Sequence, residues 1–196
     1  MYNTNIMKES LGIITIFLAF IGYVPYLRNT FSGKTKPHMI SWLLWTVVSF
    51  IAFGLQWSKG AGAGAYANFA MGIICLILFI QSLKNGTKNI RKADIISFIM
   101  AIVAIILWLV VHQPAWSIIL VVAIDIFSFI PTFIKSWNKP RQETLFTWIL
   151  SVVRQLLVLL SLQSFNFVTA LFPLYAFIAN IIFCGELIIR RKAVKD

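Results

Sequence analysis

Two stretches of this chain share one pattern: GYVPYLRNTFSGKTKPHMISWLLW at residues 22–45 and SFIPTFIKSWNKPRQETLFTWIL at residues 128–150. Each stretch has a proline near the end of an apolar run, followed by a basic loop and a second apolar run that carries tryptophan. Aligning Pro25 with Pro131, and closing a three-residue gap in the loop, keeps the two stretches in register. The repetition predicts that the chain contains two copies of one structural unit.

The composition is typical of a membrane protein. Of the 196 residues, 60% are hydrophobic and 12% are charged, whereas a soluble domain is about half apolar and about a quarter charged. Apolar runs of the length that crosses a bilayer, about 17–25 residues, occupy residues 9–28, 39–56, 65–83, 95–112, 116–136, 145–162 and 168–189. The sequence therefore predicts an all-α integral membrane fold with seven transmembrane helices.

The repeat divides the predicted helices into two groups of three. In the register of the prolines Trp45 aligns with Trp148, so the first and second helices correspond to the fifth and sixth, and the third corresponds to the seventh. This predicts a first three-helix repeat at 9–83, a linker helix at 95–112 and a second repeat at 116–189. Because one helix separates the units, both enter the membrane from the same face, and a solute site is expected between such parallel halves.

Positive charge is confined mostly to one side of the predicted bundle. The net charge is +11, and Lys8 and Lys59 are the cations assigned to the other side. The first, third and fifth loops and the C-terminal segment hold Arg28, Lys34, Lys36, Lys84, Lys88, Arg91, Lys92, Lys135, Lys139, Arg141, Arg190, Arg191, Lys192 and Lys195. Loops rich in Lys and Arg stay cytoplasmic, which predicts an outside N-terminus and a cytoplasmic C-terminus. We interpret the charge as a topology signal rather than a nucleic-acid site; short loops without a signal-peptide pattern are compatible with a bacterial cytoplasmic membrane.

The repeated prolines and tryptophans are candidates for moving parts. Proline lacks an N–H and crowds the carbonyl four residues earlier, so Pro25 and Pro131 are predicted hinges, with static kinks in a packed bundle as the alternative. Trp45 and Trp148 are equivalent in the repeat and lie deeper than the span ends. They are predicted to form a cytoplasmic gate, with ordinary packing as the alternative.

The order and spacing of these features resemble the SWEET, SemiSWEET and PQ-loop transporters, whose three-helix unit carries a proline near the cytoplasmic end of its first helix. The resemblance covers nearly the whole chain and implies a transporter that works by alternating access. The family's Gln after the proline is replaced here by Tyr26 and by Thr132. The resemblance still implies the fold of the family despite these replacements, but it does not imply that the substrate is a sugar.

The same resemblance implies three substrate-binding positions. Phe50 stands where SemiSWEETs have a sugar-stacking Trp, and Asn68 stands at the family's substrate-contacting Asn. The position that matches Asn68 in the second repeat is Tyr175 or Ala176, depending on the gap in the loop. Asn68 also belongs to a stripe of small residues, so helix packing is an equal alternative for it.

Ionisable residues inside membrane spans mark candidate functional positions. Asp125 lies ten residues before Lys135, and Arg154 lies about nine residues into the sixth predicted helix, so both reach mid-depth and can meet. One interpretation is a structural ion bridge; the other is that Asp125 exchanges protons while Arg154 attracts an anionic substrate group. Asn180 has a similar depth and is assigned either to the pocket or to packing. A carboxylate-bearing metabolite such as an amino acid suits this set better than a neutral sugar.

Signatures of catalysis are missing. The Gly-Lys-Thr at 33–35 lacks the earlier glycine of a phosphate loop, because that position is Arg28, and no H-E-x-x-H or G-x-S-x-G is present. Cys75 and Cys184 are interpreted as small core residues. We therefore expect no enzyme, no cofactor and no metal, and as partners a polar small molecule and the lipid bilayer, with a monomer sufficient and a homo-oligomer possible. The rival hypothesis is a non-transporting ligand or cargo receptor, or a membrane scaffold, of the same architecture.

Overall fold

The computed structural model describes residues 2–87, 90–110 and 113–194, and the regular structure there is entirely helical. The long helices are α1 (Tyr2–Phe31), α2 (Met39–Ser58), α3 (Ala63–Asn85), α4 (Lys92–Val110), α5 (Pro114–Asn138), α6 (Leu145–Ser161) and α7 (Phe167–Ala193). Each coincides with one predicted span, and α1 begins earlier than expected. Residues 111–112 of the predicted linker helix, together with Lys88 and Lys195, lie outside the described residues.

Five of these helices, α1, α2, α3, α5 and α7, are long and apolar enough to cross a membrane. Helix α6 is apolar but shorter, at 17 residues. Large apolar side chains such as Phe17, Ile96 and Ile182 are exposed on the outer faces of the bundle. An apolar exterior of this extent is suited to lipid rather than water, which agrees with the predicted membrane fold.

Residues with restricted or unusual backbone conformations set several helix ends. Gly33 follows α1 with a φ of +74°, in the left-handed region that commonly ends a helix. Pro114 is the first residue of α5, where its missing N–H removes no helical hydrogen bond. At the start of α7 the Asn166 side chain accepts from the N–H groups of Val168 and Thr169, and the Thr169 hydroxyl accepts from the Asn166 N–H. This reciprocal cap stabilises the first turn.

The helices pack in an order that recurs along the chain. Helix α3 packs against both α1 and α2, and α7 packs against both α5 and α6. In the described part of the chain the backbones of α1 and α2 are not adjacent, nor are those of α5 and α6, and these pairs meet only through side chains such as Tyr26 with Trp42 and Phe129 with Trp148. The two groups meet where α1 contacts α6 and where α2 contacts α5, while α4 lies along α5 and touches α2.

Prolines lie inside three helices: Pro25 in α1, Pro131 in α5 and Pro173 in α7. The sequence-based hinge prediction named the first two and missed Pro173. A proline at 173 leaves the Thr169 carbonyl without its helical donor. The Gln56 side-chain amide of α2 donates to that carbonyl at 3.0 Å, so a neighbouring helix replaces the lost hydrogen bond.

Another hydrogen bond between the two groups of helices lies near Pro25, at the residue after Ile21, whose carbonyl lacks its helical donor. The Thr147 hydroxyl of α6 donates to the carbonyl of Gly22 in α1 at 2.7 Å. Gly22 also leaves room for α6, because a Cβ there would lie 3.2 Å from the Cβ of Leu150. This part of α1 is thus held against the other group of helices by a buried hydrogen bond.

The two ends of the bundle differ in charge. We call the end that holds the C-terminal segment and the loops at 32–38 and 139–144 the basic face. The other end, the opposite face, holds the loops at 59–62 and 162–166.

The two loops of the opposite face are joined by backbone hydrogen bonds. The N–H groups of Gln163 and Ser164 donate to carbonyls of the 59–62 loop at 3.2 Å each. Gly62 has a φ of +58°, and a Cβ on it would collide with the Gln163 side chain. The two loops therefore close tightly over this end.

Candidate functional site

A cavity of about 50 Å³ lies between the two groups of helices. Its polar lining comes from five helices and consists of Ser49, Asn68, Asp125, Ser151, Arg154, Gln155 and Asn180. Its aromatic lining consists of Tyr23, Trp45, Phe129, Trp148 and Phe172. All of these polar residues are buried from bulk solvent, and each contributes to the wall of the cavity. A polar cavity of this size accommodates water molecules.

Arg154 places a cation at this buried position. The residue is 4% exposed, and its Nε and Nη1 have no hydrogen-bond partner among the described residues. It also makes no ion pair with Asp125. The ion pairs found in residues 2–87, 90–110 and 113–194 join His38 to Asp94 and Lys135 to Glu143. The expected depth of Asp125 and Arg154 agrees with the structure, in which both line this one cavity, but the ion bridge offered as one interpretation is not formed. Helix α7 packs against both α5 and α6.

Asp125 is held by neutral donors instead. Its carboxylate is buried and lies within hydrogen-bonding reach of the Tyr175 hydroxyl and the Trp45 indole N–H. Tyr175 was predicted to contact substrate, but it is absent from the cavity lining and contacts Asp125. Of the two positions that could match Asn68 in the second repeat, Ala176 is the one that lines the cavity.

The two predicted asparagines both line the cavity, with different contacts. Asn68 donates to the Gln56 side-chain oxygen at 2.7 Å, which ties α3 to α2. Asn180 donates to the Ala176 carbonyl at 2.6 Å, and its Oδ1 has no partner in the described chain. The Gln155 Oε1 is likewise unpartnered. The cavity therefore combines free acceptors with the free donors of the guanidinium.

Phe50 does not reach the cavity. Its ring packs on Gly72, where an added Cβ would lie 2.8 Å from it, and stacks edge-on against Phe69 with centroids 5.9 Å apart. The reason is helical geometry: at about 100° per residue, Phe50 is rotated by about 140° from Trp45, whereas Ser49 is rotated by about 40°. Ser49 consequently lines the cavity in its place.

The predicted gate residues lie in contact at the boundary of the cavity. The rings of Trp45 and Trp148 are tilted edge-to-face with centroids 5.9 Å apart. Phe129 lies 5.1 Å from Trp45 and 5.7 Å from Trp148, and Phe183 lies 4.5 Å from Trp148. With Tyr26 and Trp42 nearer the basic face, these rings form a continuous aromatic cluster that separates the cavity from that face. Gating itself stays a prediction, as does hinge motion at the two prolines.

A buried ion pair beneath the aromatic cluster was missed by the sequence analysis. Lys135 pairs with Glu143 and also donates to the Lys36 carbonyl at 2.8 Å. The Trp148 indole donates to the second oxygen of Glu143 at 3.1 Å. The available signal was that Glu143 is an acid in an otherwise basic loop. Through Lys36, this network links the two groups of helices on the basic face.

Comparison of the chain with protein-family models, curated proteins and solved structures finds no match. In the described part of the chain no three His, Cys, Asp or Glu side chains are placed together to hold a metal. Cys75 and Cys184 are free, buried thiols, and Cys75 also faces the cavity. The chemistry of the cavity residues therefore carries the functional interpretation.

Proposed function

We propose that this chain is a membrane transporter of a small polar metabolite that bears a carboxylate, and that it resembles SWEET and PQ-loop transporters in architecture. Two parallel three-helix units joined by a linker helix enclose the substrate site. Transport proceeds by alternating access to a site near mid-depth. The basic face is cytoplasmic by its Lys and Arg content, which places the N-terminus outside, in a membrane such as the bacterial cytoplasmic membrane.

The packing order of the helices supports the two-unit architecture. The contacts within one group correspond to those within the other when α1, α2 and α3 are matched to α5, α6 and α7. The α1–α3 contact matches the α5–α7 contact, and the α2–α3 contact matches the α6–α7 contact. The same matching converts the α1 contact with α6 into the α5 contact with α2. Such a relation is expected for halves related by an axis along the membrane normal.

The unpartnered Arg154 guanidinium in the central cavity is the observation that carries the proposal. A buried cation without a partner is strongly unfavourable, and a bound carboxylate supplies two acceptors that match the guanidinium fork. Asp125, from a different wall, can receive a cationic group of the same ligand. A zwitterion such as an amino acid fits both charges, whereas a neutral sugar leaves Arg154 unpaired.

The size of the cavity supports a closed state of this transporter. Ligand pockets commonly enclose about 300–1,000 Å³, whereas this one has about 50 Å³. The aromatic cluster covers it toward the basic face, and the paired loops at 59–62 and 162–166 cover the other end. Separation of the two units at either end, with Pro25 and Pro131 as hinges, enlarges the cavity.

The same small volume favours one alternative, a receptor or scaffold of this architecture whose interior stays packed. Counterflow of labelled amino acids into proteoliposomes separates the two functions. The transporter is supported if Arg154→Met reduces the flux at least tenfold while Arg28→Met, which removes an exposed cation as a control, leaves the flux unchanged. Saturable binding without flux identifies a receptor, and neither binding nor flux identifies a scaffold.

A structural role for Arg154 has a distinct signature in the same variant. Because the described residues offer its Nε and Nη1 no partner, the Arg154→Met protein should unfold at the same temperature as the parent or higher. A clear fall in the unfolding temperature, with flux lost only in proportion to folded protein, would contradict the binding role.

A further inference from the structure

A second cavity, of about 480 Å³, opens at the basic face and shares no lining residue with the central cavity. It lies among the loop before α2, residues 84–87 and 91–94 at the facing ends of α3 and α4, and the last two turns of α5. Pro131 and Ile134 form part of its apolar wall. Helix α5 ends at Asn138, so at about 1.5 Å per residue the cavity reaches about 10 Å below the helix end.

Cationic side chains dominate the lining: Lys36, Lys84, Arg91, Lys135 and Lys139. Lys135 is neutralised by its ion pair with Glu143. Among residues 2–87, 90–110 and 113–194, the ion pairs found do not include the other four cations. These four charges are thus brought together around one space by three separate segments of the chain.

Among the described residues of the lining, the one carboxylate is already engaged. Asp94 lies 3.3 Å from the His38 Nε2 and accepts from the Arg91 backbone N–H at 2.6 Å. It is 2% exposed, so it faces its partners rather than the open part of the cavity. Asp94 offsets at most one of the four positive charges, so the described lining keeps a net positive charge that favours an anion from outside.

We propose that this cavity binds the phosphoryl group of an anionic ligand. Several Lys ammonium groups and one Arg fork suit the multiple charged oxygens of a phosphoryl group. The volume lies within the usual range for small-molecule sites of about 300–1,000 Å³, and the apolar wall accommodates an organic part. Basic pockets between transmembrane helices on the cytoplasmic side bind anionic lipid headgroups. The phosphoryl group belongs either to such a headgroup or to a soluble phosphate compound.

Thermal unfolding of the purified full chain in a non-ionic detergent tests the site and distinguishes the two sources. The probes are short-chain phosphatidylglycerol against short-chain phosphatidylcholine, and inorganic phosphate against chloride at equal ionic strength. A ligand at about 100 times its dissociation constant should raise the unfolding temperature by about 5 °C or more. The double variant Lys84→Gln with Arg91→Gln should lose at least half of that shift, and Lys139→Gln should lose part of it.

The matched control is Arg28→Gln with Lys34→Gln, which removes two exposed cations of the same face that do not line the cavity. A shift with phosphatidylglycerol that the cavity variant alone reduces assigns a lipid headgroup. A shift with phosphate that the cavity variant alone reduces assigns a soluble phosphate compound. The proposal is overturned if neither probe shifts the unfolding temperature, or if both double variants reduce the shift equally.

Discussion

Asp125 is buried in the central cavity but is held by Tyr175 and Trp45 rather than by a cation. A carboxyl group with neutral partners can gain or lose a proton without breaking an ion pair, which suits proton coupling. We expect Asp125→Asn to abolish the pH dependence of substrate counterflow, and to weaken substrate binding without abolishing it, because Arg154 still binds the carboxylate. Tyr175→Phe keeps the carboxyl group and should retain a pH dependence with a displaced midpoint. An Asp125→Asn protein whose flux follows the parent pH profile would disprove coupling through this residue.

His38 makes a second, independent pH prediction. It is 3% exposed and pairs through Nε2 with Asp94, while its Nδ1 has no partner among the described residues. Burial lowers the pKa of His38 below its usual value of about 6.5, and Lys135 lowers it further, although Asp94 and Glu143 oppose this shift. The unfolded chain therefore binds the proton more readily than the folded chain does. Stability contributed by neutral His38 is present above about pH 6.5 and is lost as the pH falls from there toward the folded-state pKa.

We expect His38→Gln to flatten the acid side of the stability profile. As the pH falls from 6.5 to 5, the free energy of unfolding should decrease faster for the parent than for the variant. The difference between the two slopes is at most about 1.4 kcal/mol per pH unit. Denaturant unfolding in detergent at several pH values measures this difference. Parallel profiles for the two proteins would contradict the assignment.

Between helices, the contact of Gln56 with the Thr169 carbonyl compensates for Pro173. Gln56→Leu leaves that carbonyl and the Asn68 amide without partners, and should lower stability by about 1–3 kcal/mol. Pro173→Ala returns an N–H to the carbonyl, so the cost of Gln56→Leu should fall by about 1 kcal/mol in that background. Thermal unfolding of the four proteins of this double-mutant cycle measures the coupling.

The chain offers a matched control for this cycle. Gln81 is buried in α3, and neither of its amide atoms has a partner in the described structure. Gln81→Leu removes the same polar group without breaking a hydrogen bond, so stability should be unchanged or higher. Equal losses for Gln56→Leu and Gln81→Leu, or strictly additive effects with Pro173→Ala, would show that the amide does not replace the lost helical bond.

Alternating access requires the paired loops of the opposite face to separate. A Cβ on Gly60 would lie 3.7 Å from the Cβ of Ser164, within the range of about 3.5–4.5 Å found in disulfides. In a Cys75→Ser, Cys184→Ser background, oxidation of Gly60→Cys with Ser164→Cys should reduce counterflow at least tenfold, and reductant should restore it.

Two comparisons make the cross-linking test decisive. The reduced double variant reports the effect of a side chain at Gly60, whose φ of +79° disfavours any residue with a Cβ. Each single variant should show no change on oxidation. Undiminished flux in protein with a confirmed cross-link would exclude opening at this end and with it the proposed transport cycle.

Much of the architecture follows from local properties of the chain. The length and apolarity of each run predicted all seven helices, and the Lys and Arg content separated the two ends. Counting residues along the predicted helices placed Asp125, Arg154 and Asn180 at similar depth, and all three line the central cavity. These features depend on the composition and periodicity of single segments, which can be read without knowing the neighbours of a helix.

The contacts that give the cavity its chemistry depend on which helices are neighbours. Asp125 lies beside Tyr175 of α7 and forms no ion pair with Arg154, although both charged residues line one cavity, and this depends on how α7 packs against α5 and α6. A rotation of one residue position decides that Ser49 faces the cavity and Phe50 does not. Apolar helix surfaces are similar enough to pack in several orders, so local patterns leave the order open. Only the assembled bundle determines which buried polar groups find partners and which, like the Arg154 guanidinium, are left for a ligand.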